Sequence, residues 1–132
     1  MSNKVQNISE AEFNAISKEY SQNDDVFYVC LDAAQINTLQ DYFREMGKAF
    51  LFPRPAKSFA VFDDWMRDLD WIKQEEIVLV ITNASQLLSR SGEGAGAVIN
   101  DFETLILPFW EGDVGKYIVG GASKKFNVYL LS

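Results

Sequence analysis

Ile77-Val78-Leu79-Val80-Ile81 decides the fold. The run is apolar throughout and mostly β-branched, with no alternation between a wet and a dry face. That is the pattern of a strand covered on both sides, as in parallel sheets. Two other stretches read the same way, Val26–Leu31 (VFYVCL) and Phe126–Leu131 (FNVYLL). The segments between them are long enough to hold helices, so the chain reads as α/β. We expect a small three-stranded parallel sheet packed with helices and joined by right-handed crossovers. Cys30, inside the first of these strands, reads as a small buried core residue.

Outward from the strands, the helix signals are local. Ser9-Glu10-Ala11-Glu12 is a capping box, and Phe13, Ile16 and Tyr20 follow at helical spacing. Residues 1–25 are therefore expected to be a tail (Met1–Asn7) and an accessory helix, with the main domain over 26–132. Leu39, Tyr42, Phe43 and Met46 mark a helix over Thr38–Ala49, stopped by Pro53 and Pro55. Ser58 is placed to cap a helix from Phe59 to Leu69. At 100° per residue, Phe59, Phe62, Met66 and Leu69 form its core face. Asp64, Arg67 and Asp68 then lie towards solvent, with Asp63 and Trp65 on the flanks. Ala84–Leu88 reads as a short helical turn and Ser89–Gly96 as a flexible loop. Val98, Phe102, Leu105, Ile106 and Phe109 mark a last helix, which Pro108 is expected to kink or end. Gly112–Lys125 has no decisive pattern.

Composition removes whole classes of function. The 132 residues include 12 Lys and Arg, 19 Asp and Glu, one Cys and no His, giving a net charge of −7. No imidazole base, His-assisted nucleophile or His metal ligand is possible. One Cys makes neither a disulfide framework nor a Cys-based zinc site. The acidic balance argues against direct nucleic-acid binding, which needs a basic surface. It fits either plain solubility or capture of a cationic protein. No apolar run approaches the ~20 residues that span a bilayer, and the N-terminus has no export signal. The expectation is a cytoplasmic chain that is monomeric when free, does not bind membranes, and needs no metal or cofactor.

Few constellations carry chemistry. Gly92-Glu93-Gly94-Ala95-Gly96-Ala97 has the wrong glycine spacing for a dinucleotide turn and no Lys-Ser or Lys-Thr ending, so it reads as a linker. Asp63, Asp64, Asp68, Asp70, Glu75 and Glu76 crowd one segment against Arg67 and Lys73. Three readings stay open for them: a solvated face, a divalent-cation site, or fixed charge aimed at a cationic partner. Trp65 beside Asp64 has the make-up of an interface anchor, although a tryptophan is more often core. Arg54 and Lys57, in the loop before Ser58, pull the local charge the other way.

The stretch FAVFDDWMRDLDW (Phe59–Trp71) is similar to the W-D-A-L-x-D-C-L-R-D-L-D-W segment of the barstar family of ribonuclease inhibitors. The resemblance extends from Val26-Phe27-Tyr28-Val29-Cys30-Leu31-Asp32 through Leu51-Phe52-Pro53 and Ile77–Ile81 to Asn127–Ser132. It implies a barstar-like fold over 26–132 in which a loop and the helix after it plug a basic ribonuclease active site. Asp64 matches the acidic position most important for binding in that family. Other positions depart from the pattern: Arg54-Pro55-Ala56-Lys57 stands for a Tyr-rich, Gly-containing loop, Ser58 for an Asn, and Ala60 for the helix's first acidic residue. The resulting expectation is an inhibitor or immunity protein that is not an enzyme and occludes a cationic nuclease toxin. Its contact residues would be Asp64, Asp68, Trp65, Asp63, Arg54, Lys57 and Ser58. The alternative is a barstar-fold adaptor for an unrelated protein partner. A metal-holding carboxylate enzyme stands third.

Overall fold

The computed structural model describes residues 2–90 and 94–132. Its centre is a sheet of four strands, β1 (Val5–Asn7), β2 (Val26–Asp32), β3 (Glu76–Thr82) and β4 (Lys125–Leu131), in the order β1-β4-β3-β2. Every neighbouring pair is parallel. The three expected strands are present and adjacent, but the sheet has four strands, not three. The fourth is the segment read as a tail: Val5 pairs Val128 and Asn7 pairs Leu130. A three-residue strand has no pattern of its own, and this one is held by distant bonds. The Asn3 side chain donates to Leu107 O and Lys124 O and accepts from Phe126 N, while Lys4 N donates to the Asn127 side chain.

The two faces of the sheet are unequal. On one, Val29, Ile77, Leu79, Ile81, Phe126 and Val128 meet the main core. That core is closed by α2 (Leu39–Ala49), α3 (Phe59–Met66) and a long helical stretch over 94–117. On the other, Val26, Val78 and Val80 are covered by Phe13, Ile16 and Tyr20 of α1 (Glu10–Tyr20). This alternation along β3 explains why Ile77–Ile81 is apolar at every position. The Ser9 capping box of α1 forms as expected. Cys30 is a correction: it is exposed, on a strand at the edge of the sheet rather than in its middle.

The long stretch begins as α4 (Gly94–Asp101), passes through two wide turns at Phe102–Ile106 and Phe109–Asp113, and ends in α5 (Val114–Tyr117). Pro108 therefore does not end it. Leu107 N donates to Phe102 O and Val114 N to Phe109 O, five residues back. Widened turns on both sides accommodate a residue that has no N–H to offer. Helix thus extends well into the segment from Gly112 that lacked a sequence pattern. Of the expected Ser89–Gly96 loop, Ser91, Gly92 and Glu93 lie outside the described residues; Gly94 and Gly96 belong to α4.

Candidate functional site

The site is built on α3. Ser58 caps it, its Oγ accepting from Val61 N at 3.3 Å. Phe62 and Met66 are fully buried. Phe62 sits among the rings of Tyr42, Phe43, Phe52 and Phe59, at centroid distances of 5.1–6.3 Å. The far end is tied by Trp110, whose Nε1–H donates to Met66 O at 2.7 Å. A helix of only eight residues is marginal alone, so this packing is what makes it rigid.

The helix stops sooner than the 59–69 pattern predicts. Arg67 is its C-cap, and Leu69 turns back into the core at φ 47° with its side chain fully buried. Asp64 and Asp68 are both exposed, but they do not form an i,i+4 pair on one helical face. Asp68 lies in the turn beside Asp70. Its carboxyl is pushed up by partial burial and then by the Asp70 charge.

Asp63 is the clearest correction. It is 8% exposed and turned inward, where a partner cannot reach it. One step from Phe62 and three from Met66, it shares their side of the helix, where the carboxyl of Asp101, at the end of α4, faces its own. Asp63 Oδ1, Asp101 Oδ2 and the Tyr42 hydroxyl are all buried without a hydrogen-bond partner among the described residues. Burial first, and then the Asp101 carboxyl, raise its pKa to about 8. Burial raises Asp101 as well. Two carboxyls excluded from water hold a proton between them because ionising both is too costly.

Asp64 does what helical geometry predicts. Its side chain is 76% exposed, with one long contact to Arg67 at 3.4 Å. It borders a concavity of about 420 Å³ shared with Arg67, Thr104, Leu105, Phe109 and Tyr117. Tyr117 and Ile118 at the concavity, and Val119 next in the chain, are exposed hydrophobics. Sequence reasoning missed these three, although an unpartnered Tyr-Ile-Val next to Gly120 was a usable signal. Trp65 is half-buried, packed on Phe52 and Trp71 at 6.4 and 5.8 Å. Arg54 and Lys57 are exposed, but they line a different groove that shares no residue with the Asp64 concavity. Among the described residues no group of three or more Cys, Asp or Glu is placed to hold a metal ion, and no helix is long and apolar enough to cross a membrane.

A rigid helix that presents an exposed carboxylate beside exposed apolar side chains has the make-up of a protein-binding module. The family model described as Barstar (barnase inhibitor) matches residues 26–114, well over half of the chain, and the protein belongs to that family. Membership implies an inhibitor-like, protein-binding role. Strands β1 and β4 and helix α1 lie outside the matched span. Among solved structures, a chain of "Structure of Drosophila ORC bound to DNA" is similar in fold, with a TM-score of 0.59 at 17% identity. The similarity covers 98% of this chain but only 31% of that one. No curated protein matches.

Proposed function

We propose that the protein inhibits a cationic, barnase-type ribonuclease by seating Asp64 in its basic active site. The observation that carries this reading is the exposure of Asp64 on a helix whose opposite face is locked into the core. A charge fixed in advance loses little entropy on docking, and it speeds capture of a cationic partner. Tyr117, Ile118 and Val119 supply apolar area beside it, the combination found at interface hot spots. In this reading the exposed Asp68 and the half-buried Trp65 add contacts near Asp64, and Ser58 serves through the cap that starts α3. The mechanism is occlusion with charge mimicry and involves no turnover.

The test uses a purified barnase-type ribonuclease and follows its activity and its association with this protein. Wild type should inhibit, more slowly as salt rises. Asp64→Ala should raise the dissociation rate and cost about 2–5 kcal/mol, the general range for a charge pair buried in a complex, to which the barnase–barstar pair itself contributes. Undiminished inhibition by Asp64→Ala, with no salt dependence, refutes the mechanism. Absence of inhibition by wild type favours the adaptor reading, to which the cationic Arg54–Lys57 loop already lends weight.

A further inference from the structure

The groove between α2 and the loop that follows it is basic in an acidic protein. Its volume is about 700 Å³, and its lining includes Arg44, Lys48, Arg54 and Lys57 but no carboxylate. Four of the chain's 12 cations thus face one cavity while the net charge is −7. Arg44 and Lys48 are paired to Asp41 and Glu45 on the helix surface outside the groove. Arg54 and Lys57 have no ion pair among the described residues, so their charge is open to a ligand.

The groove also has an apolar wall, and part of it is strained. Leu51 is 60% exposed and sits at φ 59°, in the position after a helix C-cap where glycine is usual. The turn is closed by Phe52 N donating to Gly47 O at 2.9 Å. A Cβ on Gly47 would lie 3.3 Å from the Phe52 ring, so the glycine lets that ring settle against α2. A leucine held left-handed with its side chain in water costs stability and contributes nothing to the core. Pro53 and Pro55 stiffen the rest of the loop.

We infer that this groove is a second docking site that takes a short acidic peptide segment with an apolar anchor, the anchor lying against Leu51 and Phe52 and its flanking carboxylates against Arg54 and Lys57. The apolar wall and the overall negative charge favour a peptide over a phosphate backbone, which the rest of the protein would repel. Because the groove shares no lining residue with the Asp64 concavity, the inference does not depend on the inhibitor reading.

The experiment is fluorescence anisotropy with a short fluorescein-labelled peptide that has Leu-Phe at its centre and Asp and Glu on both sides. Wild type should bind it saturably and more weakly as salt rises. The double variant Arg54→Glu/Lys57→Glu should weaken binding by about tenfold, given two exposed ion pairs lost and reversed. Leu51→Ser should weaken it too, and Asp64→Ala should leave it unchanged. Circular dichroism would show that these exposed-loop variants are folded. A peptide with Ser-Ser at its centre, or one with Lys in place of Asp and Glu, should bind poorly. No saturable binding, equal binding by the charge-reversed variant, or tighter binding of a single-stranded oligonucleotide at the same salt would each overturn the proposal. Loss of ribonuclease inhibition in Asp64→Ala with peptide binding intact would show that the two surfaces are separate.

Discussion

Asp63 of α3 faces Asp101 of α4, carboxyl to carboxyl, beneath the helix that carries Asp64, and both carboxyls are pushed up by burial. The pair links α3 to the long helix behind it. Because Tyr42 on α2 lies against the same pair, three helices meet at one buried acidic point.

The pair makes stability depend on pH in an unusual direction. Asp63 titrates at about 8 when folded, against about 3.9 in an unfolded chain. Between those values the folded state holds a proton that the unfolded state has released. Its contribution is fully present below about pH 4 and is lost as pH rises towards 8, at up to about 1.4 kcal/mol per pH unit. Below pH 4 the opposite trend takes over through Asp32 and Asp41, whose hydrogen bonds hold their pKa values down. Asp63→Asn retains a donor for Asp101 but cannot titrate. Urea melts at a series of pH values should show the wild-type slope between pH 5 and 8 largely abolished in this variant. An unchanged slope would mean that the proton is not shared there.

Trp110→Phe tests the other tie between α3 and the long helix. The indole N–H is the donor to Met66 O, and the residue is 3% exposed. Phenylalanine keeps most of the ring but leaves the carbonyl unpaired in the core. The loss should be about 1–3 kcal/mol, read as a lower urea midpoint with the same slope. Asp64→Ala, on the exposed side of the same helix, should shift the midpoint by less than about 0.5 kcal/mol.

What the sequence discloses depends on how local each determinant is. Ile77–Ile81 was legible because a central strand is apolar on both faces wherever its neighbours lie. Val26–Leu31 was legible as a strand, but the exposure of Cys30 was not, since an edge position is set by strand order. Asp64 followed from 100° geometry alone. Asp63 did not, because the group it faces, Asp101, lies 38 residues later in the chain. Asp68 was misplaced because the helix ends at Met66 on a left-handed Leu69, a conformation that a non-glycine residue does not announce. Pro108 misled for a related reason: the widened turns that tolerate it depend on burial of Phe102, Phe109 and Trp110.

The N-terminal segment supplies the last prediction. Residues 1–25 precede the span matched by the family model, yet β1 pairs the outer edge of β4 and α1 covers Val26, Val78 and Val80. Without them, the rear face of the sheet and one strand edge would meet water. Removing 1–25 should therefore cost about 3–6 kcal/mol, taking roughly 1–2 kcal/mol for each of the three partly re-exposed valines. The truncated chain should also bind a hydrophobic dye and associate as its concentration rises, because a bare edge beside an apolar face is a template for pairing. Asn3→Ala in the untruncated chain isolates the edge from the face. It leaves Leu107 O, Lys124 O and Phe126 N without the Asn3 side chain, for a loss of about 1–3 kcal/mol, while α1 stays in place and light scattering matches that of the unaltered chain. Thermal melts and light scattering on both proteins decide the matter. If the truncated chain melts with wild type and stays monomeric at high concentration, residues 1–25 are a passive appendage and the sheet is complete without them.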